Sequence, residues 1–399
     1  MKKIAILGFG TVGSGVHEVL CMNAEGIAAR AKSEIQVKYI LDVRDFSTHE
    51  YAHLFTNDFE KILGDDEVST VVECIGGIEP AYTFTKKALA KGKNVVTSNK
   101  ELVATHGAEL LDIAEKAGVF YLFEASVGGG IPVLRPMNLC LAANEVTEIK
   151  GILNGTTNYI LTRMVDMGIS FEDALKKAQE LGYAERNPAA DVEGKDAGRK
   201  IAILASLVCG RQIDPEVIKT EGITDITLED TAYARIMDMA IKLIGYSKIE
   251  GDKVFARVSP MMLPLSNPLT SASDVFNAVM VSGNAVDDVM FYGRGAGKLP
   301  TASAVVADVI DIARGVSERA RVKWEKPDNS KMIPIEETVT NALIRVKREY
   351  ADQIKNDFAK HKVIDAGIEG EVGIIVYEAQ EKTLNFDKNC GFIKLIRMA

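Results

Sequence analysis

Cysteine and histidine are scarce and scattered in this 399-residue chain, with five of each. Cys21, Cys74, Cys140, Cys209 and Cys390 are odd in number and show no C-x-x-C spacing. That suits a reducing compartment and argues against a zinc cluster. The histidines form no H-E-x-x-H pattern. No run approaches the roughly 18 uninterrupted apolar residues of a membrane span. The opening apolar stretch is cut by glycine early, and no small-residue cleavage site follows, so a secretion signal is not expected. A cytoplasmic protein without membrane partners is predicted. Positive charge is in deficit: 47 Lys and Arg stand against 56 Asp and Glu, for a net charge of −9. Nonspecific binding to nucleic acid is therefore excluded as a working hypothesis. Hydrophobic residues reach 47%, enough for sizeable cores, and the length predicts two or three domains.

What is present begins at residue 3. Lys3–Leu7 is a short apolar run leading into Gly8-Phe9-Gly10-Thr11-Val12-Gly13, and a helix-compatible stretch follows. This strand–turn–helix context makes a G-x-G-x-x-G pattern credible as a dinucleotide fingerprint. Gly8 permits the tight turn, Gly10 lets the backbone approach a pyrophosphate, and Gly13 allows close helix–strand packing. Gly8, Gly10, Thr11, Val12 and Gly13 are the candidate cofactor contacts. The alternative is a Gly-rich turn that merely packs.

Further β-branched segments at Gln36–Leu41, Ser69–Cys74, Asn94–Thr97 and Val119–Phe123 alternate with helical patterns such as Ala81–Ala90 and Ala108–Ala117. Such alternation predicts a parallel, doubly wound sheet with ligands at the carboxyl ends of its strands. After the second segment stand Asp42 and Arg44. An acidic residue there suits the ribose hydroxyls of NAD, and a nearby arginine the 2′-phosphate of NADP. A solvated strand end and a surface charge are the bland alternatives. Gly76-Gly77 permits close approach of a nicotinamide or ribose, and Thr97-Ser98-Asn99-Lys100 would aim a lysine at the cleft. At Glu124–Pro132 a carboxylate precedes a bent, Gly-rich backbone, an oxygen-rich setting that hard cations favour. On residues alone, a phosphate-type nest or a hinge is the preferred reading there.

In the middle of the chain, an apolar strand ends in the polar turn Asn154-Gly155-Thr156-Thr157-Asn158. A helical pattern over Phe171–Leu181 closes at Gly182. Asp196 and Lys200 are spaced i, i+4 and share a helix face just where the sequence turns apolar at Ile201. A surface ion pair is one reading. The other is a partly desolvated lysine at the rim of a cleft, a usable proton shuttle.

Three of these segments together are specific. Residues 151–161 (GILNGTTNYIL), 181–185 (LGYAE) and 191–200 (DVEGKDAGRK) resemble homoserine dehydrogenases, as does 293–308 (GRGAGKLPTASAVVAD). With the fingerprint, the resemblance spans roughly residues 1–320. It implies NAD(P)-dependent interconversion of L-aspartate 4-semialdehyde and L-homoserine, a step toward threonine and methionine. It also implies Lys200 as proton donor, Lys100 in the active cleft, and Glu185, Asp196, Thr156 and Tyr183 around the amino acid. Gly182 and Gly297 would lie near the cofactor, NADP or NAD. Glu124, with main-chain oxygens of Val127, Gly129 and Ile131, would hold a sodium-like ion. A small-molecule substrate and a homo-oligomer, dimer or tetramer, complete the expectation.

The predicted architecture is α/β. A Rossmann-type doubly wound sheet over 1–130 has 300–320 packing back on it, and an α+β catalytic domain covers 131–299. After the polar stretch 323–331 comes a small C-terminal module, 331–399. There a strand at Asn341–Val346, a helix at Ala351–Lys360 and strands at Lys362–Ala366, Gly373–Ala379 and Phe392–Met398 give a βαββ(α)β order. This resembles ferredoxin-like regulatory modules of the ACT type. Its second helix, at Glu381–Lys388, is short, and the Asp-x-x-Gly opening that contacts ligands in that family is missing. A module that only mediates subunit contacts is the alternative. Two rival functions remain: a non-catalytic NAD(P)-sensing regulatory protein, which would need no proton donor beside an amino-acid pocket, and another amino-acid or semialdehyde dehydrogenase, for which the 151–200 motifs have no reason.

Overall fold

Apolar strands buried on both faces build the first sheet. The computed structural model describes residues 1–315, 321–386 and 391–398. In chain order the first part runs β1 (Lys2–Leu7), α1 (Thr11–Met22), α2 (Ala24–Ala31), β2 (Ile35–Leu41), β3 (Phe55–Thr56), α3 (Phe59–Leu63), β4 (Val68–Glu73), α4 (Ala81–Ala90), β5 (Asn94–Thr97), α5 (Lys100–Lys116) and β6 (Tyr121–Leu122). The sheet is parallel, in the order β3-β2-β1-β4-β5-β6. This is the Rossmann-type winding, with its switch between β1 and β4. Ala5, Leu7, Val71 and Val95 face the core under α4 and α5. Ile4, Ile6, Val72 and Val96 face α1 and a helix from much later in the chain. Two covered faces explain the near-continuous apolar strands.

The middle part runs β7 (Val146–Ile152), α6 (Gly155–Met167), α7 (Phe171–Glu180), α8 (Ala189–Val192), α9 (Lys195–Cys209), β8 (Lys219–Thr220), α10 (Leu228–Ile236), β9 (Met239–Glu250), β10 (Lys253–Pro264), β11 (Phe276–Gly283), β12 (Asp287–Arg294) and α11 (Lys298–Arg314). α11 is the late helix: Ala302, Val305 and Val309 complete the core around β1 and α1. A Cβ on Gly15 of α1 would come within 2.8 Å of the Lys298 carbonyl, so glycine there allows the two helices to close up. Residues 316–320 of the expected return segment lie outside the described residues.

The C-terminal part runs β13 (Val339–Lys347), α12 (Ala351–Lys355), β14 (His361–Ile364), β15 (Glu371–Gln380) and β16 (Phe392–Met398). These strands do not stand apart. The second sheet runs β12-β11-β7-β9-β10-β16-β13-β15-β14, with β8 beside β10. Its last four strands are antiparallel, in the order fourth, first, third, second. They join the strands of the middle part where β16 runs parallel to β10. Buried ion pairs close the seam: Glu381 bonds both Arg257 (2.6 Å) and Arg397 (2.6 and 2.9 Å), and Arg345 bonds both Asp230 (2.6 Å) and Glu371 (2.9 and 3.0 Å).

Several expected boundaries move. The helix read at Ala108–Ala117 begins at Lys100, capped by the Asn99 side chain on the Leu102 N–H (3.1 Å). The polar turn at 154–158 is the start of α6, capped by Asn154 on the Thr157 N–H (2.9 Å). The strand read at Val119–Phe123 shortens to two residues. The helix expected over Ala351–Lys360 stops at Lys355, and at Glu381–Thr383 a single 3-10 turn replaces the second one. Residues 387 and 388 of that segment lie outside the described residues. No helix among the described residues is long and apolar enough to cross a membrane.

Candidate active site

The fingerprint turn is shaped by contacts only glycine tolerates. Gly8 has φ +88°, and a Cβ there would meet the Cys74 carbonyl at 3.0 Å. A Cβ on Gly13 would sit 1.9 Å from the Gly8 carbonyl. A Cβ on Gly10 would meet nothing, so this backbone is open to a ligand. α1 starts at Gly10 without a side-chain cap, leaving its first amides for an anion. Asp42 is no mere solvated strand end. Its Oδ2 accepts the N–H of Phe9, inside the fingerprint, at 2.8 Å. Arg44 grips the same carboxylate through Nε (3.0 Å) and a terminal nitrogen (2.8 Å). That grip, with the N–H donors, holds the Asp42 carboxyl well below the usual range despite partial burial. The Arg44 side chain is itself largely exposed.

A cleft of about 500 Å³ opens between the two sheets. Helix starts converge on it: Thr11 and Val12 of α1, Lys100 of α5, Gly155 and Thr156 of α6, and Gly297 ahead of α11. Each brings unpaired N–H groups and a positive dipole end, so the cleft favours anionic groups.

One carboxylate organises its floor. Asp196 Oδ1 lies 2.5 Å from Lys100 Nζ, and Oδ2 lies 2.8 Å from Lys200 Nζ. Lys200 also donates to the Leu153 carbonyl at 2.7 Å. Asn154 spans two carboxylates, giving 2.8 Å to Asp196 Oδ2 and 2.7 Å to Asp191 Oδ1. The two lysines are not equivalent. Burial works against both charges. For the more exposed Lys100 the attraction of Asp196 prevails and raises its pKa, whereas for Lys200 burial prevails and lowers it. Asp196 is held well below the carboxylate range, because two ammonium groups outweigh its burial. Burial raises Asp191. Groups driven apart in this way are suited to distinct proton-handling roles.

Thr156 donates to the Tyr183 carbonyl at 2.6 Å, and the Tyr183 ring packs edge-on against Tyr159. Gly182 ends α7 with φ +74°, a conformation that favours glycine. All of Lys100, Lys200, Asp196, Thr156, Tyr183, Gly182 and Gly297 line the cleft. Glu185 is not brought to it: the residue is exposed, and its main-chain oxygen accepts from Gln179 Nε2 at 3.1 Å. Sequence reasoning missed Asn154 and Asp191. The first carried a readable signal, an N-cap residue three positions before its target amide. The second had none, since its partner is on another helix.

Glu124 is pinned by the main chain that follows it. Its carboxylate is already taken: Oε1 accepts the N–H groups of Val133 (2.6 Å) and Leu134 (3.0 Å), and Oε2 that of Arg135 (2.6 Å). A side chain used to pin the following turn is a poor cation ligand. What the segment still offers is main-chain oxygen: among the described residues no N–H is aimed at the carbonyls of Val127, Gly129 or Ile131. Gly129 has φ +56°, and a Cβ there would lie 2.4 Å from the Gly295 carbonyl, so this bend presses directly on the loop before α11.

Comparison with known proteins gives a consistent result. A family model described as homoserine dehydrogenase matches residues 132–310, and one described as homoserine dehydrogenase, NAD binding domain, matches residues 8–124. The chain is 44% identical over 318 residues to a homoserine dehydrogenase of Synechocystis, covering 78% of this chain and 73% of that one. It is 43% identical over 341 residues to the enzyme so named from Helicobacter pylori, covering 84% and 80%. The crystal structure of a homoserine dehydrogenase from Thiobacillus denitrificans superposes with a TM-score of 0.90 at 36% identity, over 100% of this chain and 98% of that one. A hyperthermophilic archaeal homoserine dehydrogenase in complex with NADPH gives a TM-score of 0.66 at 27% identity, over 78% and 97%.

Proposed function

Because the chain belongs to the homoserine dehydrogenase family, and is an NAD(P)-dependent oxidoreductase, we propose how its own residues carry the reaction. The open Gly10 backbone, the uncapped start of α1 and Asp42 at the end of β2 fit a dinucleotide. When bound, that cofactor supplies hydride to, or takes it from, the carbon that is aldehyde in one substrate and alcohol in the other. Lys200 donates the proton to the carbonyl oxygen as charge develops there, and takes it back in the reverse direction. Asp196 keeps Lys200 aimed and keeps Lys100 charged beside it. The free amides of Gly155 and Thr156 receive the substrate carboxylate at the start of α6. Its ammonium needs a carboxylate. Asp191, on the cleft wall with its carboxylate bonded by Asn154, is the acceptor this structure brings to the pocket, and Glu185, the candidate from family resemblance, stands exposed outside the cleft and would have to turn inward to share the role. Tyr183 closes the pocket over Thr156.

One observation carries this reading: two lysines of opposite pKa tendency share one buried carboxylate at the meeting point of the helix starts. A cofactor sensor has no use for that arrangement. We further divide the chain into a cofactor part (1–130 with the 300–320 return), a substrate part (131–299) and a C-terminal part (331–399). For the cation, we propose that main-chain oxygens of Glu124, Val127, Gly129 and Ile131 hold a sodium-like ion that braces the two large parts. A buried carboxylate cluster supports this: among the described residues Glu124, Asp308 and Asp311 are set against Arg135 and the half-exposed Arg314, and burial pushes Asp308 up to about 7. Threonine and methionine biosynthesis, assembly as a homo-oligomer and residence in the cytoplasm belong to the same proposal. So does a preference for NADP or dual use, from Arg44. The test is L-homoserine-dependent reduction of NADP and NAD, side by side, with L-serine as control. Reduction with homoserine alone supports the reading; reduction of neither cofactor contradicts it.

A further inference from the structure

Glu73 ends β4 as a fully buried carboxylate, and no cationic side chain among the described residues pairs with it. Its neighbours in the strand, Val71 and Val72, are apolar and equally buried. A carboxylate in such a place costs stability unless its acceptors are needed. A local breach of core patterning of this kind tends to mark a functional position.

Its hydrogen bonds form a closed ring. Oε1 accepts the N–H of Ile75 at 2.7 Å, which fixes the start of the Ile75-Gly76-Gly77 loop. Oε2 accepts the hydroxyl of Thr97 at 2.5 Å. The Thr97 oxygen in turn accepts the N–H of Asn99 at 2.9 Å. Asn99 then donates Nδ2 to the Gly77 carbonyl at 2.6 Å, returning to the first loop. The same Asn99 caps α5, whose first residue is Lys100. Gly76 and Gly77 have φ +82° and +70°, and a Cβ on either would meet nothing. Their glycine is demanded by backbone shape, and the ring is what holds that shape.

We propose that Glu73 is the positioning residue that fixes Lys100 relative to the reacting end of the cofactor, by locking the 75–77 loop and the first turn of α5 into one unit. This rests on the reading above that Lys100 works in the cleft. The chemistry of the ring explains the residue type. Two acceptor oxygens are needed on one carboxylate: one for a main-chain N–H, and one for a hydroxyl whose own oxygen is already accepting. Glutamine keeps the shape. It must either set its NH₂ against the Ile75 N–H or force the Thr97 hydroxyl to turn away, so one contact is lost.

The test compares full-length Glu73→Gln, Thr97→Val, the double variant and Thr97→Ser. The readouts are kcat, KM for homoserine and for NADP, the deuterium isotope effect on hydride transfer, and thermal stability. Active enzyme is counted by cofactor-binding stoichiometry. Glu73→Gln and Thr97→Val are each expected to lower kcat ~10-fold or more, the scale of a sub-ångström misplacement, with a larger isotope effect and little change in KM for homoserine. The double variant should be no worse than the poorer single, because both break one ring. Thr97→Ser, which keeps the hydroxyl, should restore kcat. The proposal is overturned if the variants lose thermal stability but keep wild-type kcat per active site, or if their losses multiply. Should Glu73→Gln not fold, Thr97→Val against Thr97→Ser decides by the same criteria. Absence of homoserine-dependent activity in the wild-type chain would instead count against the underlying reading, so the two failures are distinguishable.

Discussion

Replacing Asp196 with asparagine removes the charge that two ammonium groups share. The carboxylate is buried and contacts Lys100 Nζ at 2.5 Å and Lys200 Nζ at 2.8 Å. Breaking a buried pair by deleting one partner costs about 3–5 kcal/mol. Divided between two lysines this is roughly 1.5–2.5 kcal/mol each, or about one to two pKa units at 1.36 kcal/mol per unit. The sign is fixed: without the anion, each charged ammonium is less favoured and gives up its proton at lower pH. Lys200, already lowered by burial, becomes the neutral partner first. The alkaline limb of kcat for semialdehyde reduction should therefore move toward acid by about one to two pH units. Stability supplies an independent reading. Because the pKa of Asp196 is depressed on folding, its contribution is present above the unfolded value and lost as pH falls through the folded one. The difference in Tm between wild type and Asp196→Asn should thus narrow in acid. A folded variant with an unshifted alkaline limb would refute the claim that Asp196 sets the protonation of these lysines.

Arg44→Ala should raise KM for NADP about tenfold, the scale of one lost charge-assisted contact, and leave NAD little affected; equal effects on both cofactors would remove the 2′-phosphate role. Asp191→Asn and Glu185→Gln should each raise KM for homoserine more than they lower kcat, and an unchanged KM in either clears that residue of ammonium binding. At constant ionic strength, sodium chloride should raise Tm relative to tetramethylammonium chloride, and EDTA should not affect activity; loss on chelation restored by a divalent metal would contradict the monovalent assignment. Truncation after Lys331 bares the β10 edge and leaves Arg257 without Glu381, so soluble yield should collapse; a soluble, fully active fragment would show the seam to be dispensable.

The cofactor half was legible because its signals are local. A glycine turn after an apolar strand, and apolar segments at regular intervals, specify both the winding and the end of the sheet where ligands sit. Asp196 and Lys200 were legible as a pair because i, i+4 spacing fixes a shared helix face. Their partner Lys100 was named, but nothing in sequence brings residues 100 and 196 within 2.5 Å. The start of α6 was hidden by its own composition. Gly-Thr-Thr-Asn is poor in helix formers, and only the Asn154 cap and burial of the following turn override that preference. The long strands β9 and β10 escape alternation analysis because β10 is buried on both faces from Val254 to Leu263. The C-terminal strand order was readable, but its union with the catalytic sheet was not. It depends on arginines and glutamates more than a hundred residues apart, such as Arg257 and Glu381.

The central claim is that Lys200 is the proton donor of an NAD(P)-dependent homoserine–semialdehyde interconversion. The most direct test measures kcat and cofactor affinity together for Lys200→Ala. The residue lies on α9, away from the fingerprint, so the dissociation constant for NADPH should stay near that of the wild type. Meanwhile kcat should fall by about 10²–10⁴, the scale of a lost general acid–base. A variant that binds cofactor normally and retains near wild-type kcat would contradict the account.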